Sequence, residues 1–271
     1  MAQNVETPSE ASATRDAVGG NPQTFDFSNW ARLVETHALP AARRLQDTDP
    51  YYPNPLERMV ALFFLIVLSP VMLLAALAIK IDSPGGPVFF RQARVGLNRR
   101  RARHAIGTTD PRVPAPRVDR RRTAGQGQVF LMWKFRTMIP NAEARTGAVW
   151  ASAKDPRVTR VGHILRHLRL DEVPQFLNVL QGNMRLIGPR PERPEFVRVL
   201  IEDMPDYAHR LKVPPGITGL AQVEREYDSN VDDVRRKLGY DLFYVKNRCW
   251  LLDLKILVKT VDVVVRGRGA H

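Results

Sequence analysis

A chain of 271 residues is long enough to bury a sizeable core, and its length fits one catalytic domain plus a membrane element, or two small domains. The single cysteine, Cys249, excludes an internal disulfide framework, and no Cys/His cluster has zinc spacing, so neither staples nor a structural metal explain the fold. A reducing, cytoplasm-facing location fits best, and the net charge of +13 demands an anionic partner: nucleic acid, anionic lipid head groups or phosphorylated substrates.

The N-terminal arm is set at residues 1–54; its residues 1 to about 50 are polar, with scattered Ser, Thr, Pro and Gly, and only Phe25, Phe27, Trp30 and Leu33 there offer apolar anchorage. The arm reads as partly disordered, containing one short amphipathic helix. The first 50 residues lack a basic start followed closely by an apolar run and a small-residue cleavage site, so the arm is expected to stay on the chain.

From Met59 to Ile79 there are 21 consecutive uncharged residues between Arg58 and Lys80. As a helix they reach about 31 Å, enough to cross a bilayer, and they sit within a membrane element over 55–82. Ser69-Pro70 lies at the middle, where proline removes a backbone donor and bends or breaks the helix. Two readings compete: a kinked single span, and a helix-break-helix that enters and leaves on one face. Eight acids against five arginines in residues 1–58 permit an outside amino terminus, whereas the basic region after Lys80 must face the cytoplasm.

The remainder, 83–271, reads as a water-soluble catalytic domain with a basic insertion at 99–128. Between Arg91 and Arg122 eleven arginines face only Asp110 and Asp119, and prolines and glycines break any regular period. A solvated or lipid-contacting loop explains this charge. No aromatic residues interleave it, so a base-stacking platform is absent and nucleic acid is not the expected partner.

Val129 to Arg136 follows as a strand delivering Lys134 and Arg136. Val161 to Leu170 is expected to be helical, and Asp171-Glu172 comes directly after it. Adjacent side chains diverge by about 100° on a helix, so the two carboxylates would take different jobs. Taken alone, Asp171-Glu172 reads as an exposed pair making helix salt bridges, and Pro189-Arg190-Pro191 as a rigid surface turn. No Walker loop, G-x-G-x-x-G or Gly-x-Ser-x-Gly occurs. Cations, then Asp-Glu, then Gly188-Pro189-Arg190-Pro191 form an order suited to holding phosphates, because arginine forks clamp phosphate oxygens in pairs.

From Pro55 to Arg266 the chain resembles the bacterial sugar transferases, also called monotopic phosphoglycosyl transferases. The residues that carry the resemblance run in order: the apolar segment with Ser69-Pro70, Asp82-Ser83-Pro84-Gly85-Gly86-Pro87 leading to Gln92 and Gly96, Lys134-Phe135-Arg136-Thr137-Met138, and Asp155-Pro156-Arg157-Val158-Thr159-Arg160. Leu170-Asp171-Glu172-Val173-Pro174-Gln175-Phe176-Leu177-Asn178, Gly188-Pro189-Arg190-Pro191-Glu192, Pro215-Gly216-Ile217-Thr218-Gly219 and Tyr240-Asp241-Leu242 follow.

The resemblance implies a mostly helical α/β fold: a small cytoplasmic catalytic lobe, one proline-broken re-entrant membrane helix and interfacial amphipathic helices, on the cytoplasmic face of the bacterial inner membrane. It implies Asp171 as nucleophile and Glu172 as its partner in handling Mg2+. Lys134, Arg136, Arg169, Gln175, Asn178, Pro189, Arg190 and Pro191 would form the substrate site. The substrates implied are a UDP-sugar and a polyprenyl phosphate such as undecaprenyl phosphate, at the start of exopolysaccharide, capsule, O-antigen or glycan synthesis. Asn141, Asn183 and Arg185 depart from the commonest pattern, and an extra cation at Arg185 would bear on sugar preference. The four further transmembrane helices of larger relatives have no counterpart in this sequence, which favours a compact form, a homodimer among them. Other readings are a non-catalytic peripheral protein binding anionic lipid, a membrane-associated nucleic-acid binder, and a glycosyl transferase that would release UDP rather than UMP.

Overall fold

The computed structural model describes residues 54–97, 127–142, 155–224 and 231–266. The N-terminal arm, with its expected short helix, and nearly all of the basic insertion lie outside them. Helix α1, Pro55–Asp82, opens where the Asn54 side chain accepts from the Leu56 amide at 3.0 Å, with Pro55 at the first turn, where its missing N–H costs nothing. It is the one helix among the described residues that is long and apolar enough to cross a membrane, with a mean hydropathy of 2.8.

The expected break at Pro70 does not interrupt the helix, because α1 runs continuously through it. Proline at position 70 leaves the Ile66 carbonyl without its intrahelical donor, and the Ser69 hydroxyl donates to that carbonyl at 2.7 Å. The Ser-Pro pair thus carries its own repair.

One face of α1 packs along the lobe over most of its length. Ala61 is buried with Phe130, Met132, Val179 and Met184, and Ala75 and Ile79 with Phe135 and Leu165. Small alanines let the backbones approach closely. At its start Glu57 pairs with Arg185 and accepts from the Leu186 amide at 3.4 Å, and at its end Asp82 Oδ2 accepts from the Val161 amide at 3.1 Å. The opposite face leaves Phe63, Ile66, Leu73, Leu74 and Ile81 more than half exposed.

Strands β1, Phe89–Val95, and β2, Val129–Phe135, form an antiparallel ladder from Phe89↔Phe135 to Val95↔Val129. Period-two alternation puts Phe90, Gln92, Arg94, Phe130, Met132 and Lys134 on one face, with Phe130 and Met132 buried there and Val95 and Phe135 buried on the other. Arg136 lies just beyond the strand.

Helix α2, Arg160–His167, is capped by Thr159, whose Oγ1 accepts from the Gly162 amide at 3.0 Å. The helical expectation for Val161 to Leu170 holds only to His167: Arg169 takes φ 57°, in the left-handed region, and a 3-10 helix, Leu170–Gln175, follows. Pro174 prevents an ordinary α-helical turn through the acidic pair. Helix α3, Phe176–Leu180, leads to β3, Arg185–Ile187. Then come α4, Pro194–Asp203, a second 3-10 helix, Pro205–Lys212, β4, Gly216–Thr218, and α5, Leu220–Glu224. Helices α6, Val231–Asn247, and α7, Trp250–Val265, end the described chain.

The described fold is mostly helical with two two-stranded sheets, the second being parallel β3–β4 with Arg185↔Gly216 and Ile187↔Thr218. Its glycines explain why two separate motifs act together. A Cβ on Gly216 would stand 2.1 Å from the Gly188 nitrogen, so only glycine lets the Pro215-Gly216 strand lie against the Gly188-Pro189-Arg190-Pro191 loop. The core beneath that loop gathers Val95, Val197, Tyr207, Leu211, Val234 and Leu238.

Candidate active site

The 3-10 helix turns Asp171 and Glu172 into a cavity floored by β2 and the loop after β3. Lys134 Nζ lies 3.1 Å from Glu172 Oε1 and 3.9 Å from Asp171 Oδ2. Arg190 Nη1 donates to Glu172 Oε2 at 3.1 Å, and its Nη2 donates to Glu172 Oε1. Glu172 therefore has both oxygens held by cations. Asp171 accepts no hydrogen bond from any described residue and keeps only the longer contact with Lys134.

Electrostatics separates the two carboxyls. Burial raises Asp171 above the usual carboxylate range, and the neighbouring Glu172 charge adds to this against Lys134. Burial also works against Glu172, yet Arg190 and Lys134 together hold it well below that range. Burial, only partly offset by Glu172, lowers Lys134. The left-handed Arg169, two residues before Asp171, is a backbone outlier of the kind stored beside functional groups.

A second tier fixes Arg190. Arg210, buried with Asp241, donates from Nη2 to Asp241 Oδ2 at 2.7 Å and to the Arg190 carbonyl at 2.8 Å. Its Nη1 donates to the Tyr207 hydroxyl at 2.8 Å, and burial pushes that phenol up to about 12. Glu192 accepts from Lys237 at 2.7 Å and from Arg94 at 3.4 Å, while Arg94 also donates to the Pro191 carbonyl at 3.0 Å. Against the cost of burial, Lys237 and Arg94 bring the Glu192 carboxyl down to about 2.

Of the expected site residues, Asp171, Glu172, Lys134 and Arg190 come together. Arg169 lines the same cavity. Pro189 and Pro191 act through their carbonyls, which accept from the Gly216 amide at 3.1 Å and from Arg94. Arg136 also lines this cavity and donates to the Ser83 hydroxyl at 3.2 Å and to the Ser83 carbonyl, bracing the turn after α1. Asn178 is fully buried and clamps β2, donating to the Leu131 carbonyl at 2.8 Å and accepting from the Trp133 amide at 2.9 Å. Gln175 is fully buried, and neither amide atom has a hydrogen-bond partner among the described residues.

Sequence reasoning missed Arg94, Lys237, Arg210 and Asp241 as parts of the site. They are distant in sequence from the acidic pair, and only burial marks them apart from surface charges. Arg185, the departure expected to bear on the sugar, has its charge taken up by Glu57 at the start of α1.

Magnesium is held by one or two carboxylates plus substrate phosphates rather than by an all-protein cage. Asp171 offers oxygens for that role. Glu172 offers them only by releasing Arg190 or Lys134, and no cluster of three His, Cys, Asp or Glu exists among the described residues. The donor set fits an ion that arrives with a diphosphate.

The sequence profile of the bacterial sugar transferases matches residues 52–106 and 108–267. The chain belongs to the bacterial sugar transferase family. Within it, the chain is similar to the UDP-N-acetylgalactosamine-undecaprenyl-phosphate N-acetylgalactosaminephosphotransferase of Aeromonas hydrophila, at 40% identity over 80% of this chain and 44% of that protein. It is 37% identical to a UDP-glucose:undecaprenyl-phosphate glucose-1-phosphate transferase of Caulobacter vibrioides, covering 80% of this chain and 70% of the relative. The exopolysaccharide production protein PSS of Rhizobium leguminosarum is 35% identical over 76% of this chain and 91% of its own length. Against several curated relatives this sugar transferase chain spans less than half of their length.

Proposed function

We propose that this protein transfers a sugar-1-phosphate from a UDP-sugar to a polyprenyl phosphate, as its relatives' names describe for undecaprenyl phosphate, at the start of exopolysaccharide or related glycan synthesis. The observation that carries this reading is the asymmetry of the acidic pair. Glu172 is locked between Arg190 and Lys134, whereas Asp171 accepts no hydrogen bond from any described residue and faces the cavity beside those cations.

In the first step an Asp171 oxygen attacks the β-phosphorus of the UDP-sugar, and the bond from that phosphorus to the bridging oxygen breaks, releasing UMP. In the second, an oxygen of the polyprenyl phosphate attacks the same phosphorus and Asp171 leaves, giving a diphosphate-linked sugar. Lys134 and Arg190 supply fixed positive charge beside the reacting phosphoryl group, and Glu172 keeps both in place without itself attacking. Magnesium, when bound, neutralises diphosphate charge that would otherwise repel an anionic nucleophile. Two displacements on one residue imply ping-pong kinetics.

The same reading places α1 as a re-entrant helix on the cytoplasmic face of the inner membrane. Its support is that Glu57 and Asp82, near opposite ends of α1, are both bonded to one lobe, which packs along the helix between them. A helix crossing the whole bilayer would carry that lobe into hydrocarbon. Exposed Trp250, Val258, Val261 and Val265 on α7 suit an interfacial helix beside it.

The test is incubation of lipid-solubilised protein with magnesium and a panel of UDP-sugars, without acceptor. One equivalent of UMP and a sugar-phosphate mass adduct on Asp171, lost on adding polyprenyl phosphate and absent in Asp171→Asn, is the expected result. Release of UDP instead would indicate a glycosyl transferase. Folded protein giving neither nucleotide nor adduct across the panel would leave a non-catalytic lipid-binding protein.

A further inference from the structure

The cavity that holds the acidic pair does not end there. It has a volume of about 1910 Å³, where a pocket for one small ligand holds about 300–1,000 Å³. Part of the excess reaches the turn after α1 and helix α4, and part is a trench lined by the first half of α1 and helix α7. Val60, Phe64 and Leu68 form one wall, Leu254, Leu257 and Val261 the other. Strand β3 lies between them: Glu57 of α1 bonds to Arg185 and Leu186, and Leu252 and Ile256 of α7 pack on Ile187.

We infer that this trench holds the hydrocarbon tail of the acceptor lipid, leading its phosphate to Asp171; the inference rests on the acceptor being a polyprenyl phosphate. The two ends of the cavity differ in chemistry. At the acidic pair, Lys134 and Arg190 present positive charge. Along the trench most polar groups are satisfied by the protein itself; the Gln222 amide donates to the Ile217 carbonyl at 3.2 Å, and only its Oε1 has no partner among the described residues. Arg185 is paired with Glu57, and Glu224 with Lys259. The Thr218 and Thr260 hydroxyls meet at 2.8 Å while Thr260 donates to the Ile256 carbonyl, and Asp253 accepts from the Tyr244 hydroxyl at 2.8 Å. A ligand in the trench therefore meets an apolar surface, and one molecule that suits both ends carries an anionic head on a hydrocarbon chain. The rim residues Phe64, Leu254 and Val261 are exposed and continuous with the bare apolar face of α1, so the trench opens where a lipid would enter.

The test separates the two half-reactions in the full-length protein. Val261→Trp and, independently, Leu254→Trp fill the trench while keeping its rim apolar. UMP release without acceptor, which involves no lipid, reports an intact active centre in each variant. Transfer from the loaded enzyme to undecaprenyl phosphate should fall about tenfold in both, the scale expected when an apolar pocket loses part of its ligand. Transfer to geranyl phosphate, whose tail is too short to run the trench, should change little. Equal slowing with both acceptors, or unchanged transfer to undecaprenyl phosphate, would overturn the assignment and leave the tail in the bilayer. Absence of UMP release in the unsubstituted protein would instead remove the transferase reading itself, which tells the two failures apart.

Discussion

Arg190 closes on Glu172 with both terminal nitrogens, while Asp171, one residue earlier, receives no hydrogen bond from any described residue. Two adjacent acids thus occupy opposite electrostatic situations: one neutralised and fixed, the other buried and available. The difference comes from the 3-10 backbone, which points neighbouring side chains apart, and from one arginine delivered by the loop after β3.

Asp171→Asn should keep the fold and lower UMP release by roughly a thousandfold or more, because it removes the attacking oxyanion but no ion pair of Glu172. Thermal unfolding of the variant should match or exceed that of the parent, since burial disfavours the charged form of Asp171. A large loss of stability would place Asp171 in a structural role.

Glu172→Gln should behave in the opposite way. It leaves Lys134 and Arg190 buried without their anion, a loss of about 3–5 kcal/mol for a broken buried pair. The readout is a lower unfolding midpoint together with slower UMP release, and a variant as stable as the parent would contradict the ion-pair account.

Stability should fall in acid through Glu192. Its folded-state value is depressed, so its contribution is fully present above about pH 4.5 and is lost as pH falls toward about 2. The amount is roughly 3 kcal/mol by linkage. Unfolding midpoints of the parent and Glu192→Gln, measured from pH 7 to pH 3, should differ at neutral pH and converge on the acid side.

Asp253 should give the reverse slope. Burial pushes its carboxyl up to about 6, so the stability it contributes is present below the ordinary carboxylate range and is lost as pH rises through about 6. Asp253→Asn should gain stability relative to the parent between pH 5 and pH 8. No change in that difference across the interval would show that the carboxyl titrates as an ordinary one.

Asp241→Asn should loosen the loop that carries Arg190, since Arg210 would lose its charged partner while still facing the Arg190 carbonyl. Slower UMP release in a variant with unchanged lipid binding is the expected outcome, measured by the acceptor-free assay and by vesicle co-sedimentation.

The apolar run from Met59 to Ile79 fixes, by composition alone, a helix long and apolar enough to cross a membrane, because hydrocarbon solvation depends on which side chains are present. The order of Lys134, Asp171-Glu172 and Pro189-Arg190-Pro191 likewise pointed to one cluster of cations and acids, which Lys134, Asp171, Glu172 and Arg190 form in the structure. Local patterns failed where the outcome depended on contacts between distant segments. The helix expected to Leu170 stops at His167, and the contacts of Arg136 with Ser83 and of Asn178 with β2 join segments far apart in the chain. The sequence by itself determined the long apolar helix, the acidic pair and the cations that could serve it. Only the tertiary structure decided which acid is neutralised, that Arg185 is taken up by Glu57, and that Arg210 and Glu192 stand behind the site, because charge pairing in a buried site depends on distance and desolvation, which sequence spacing does not encode.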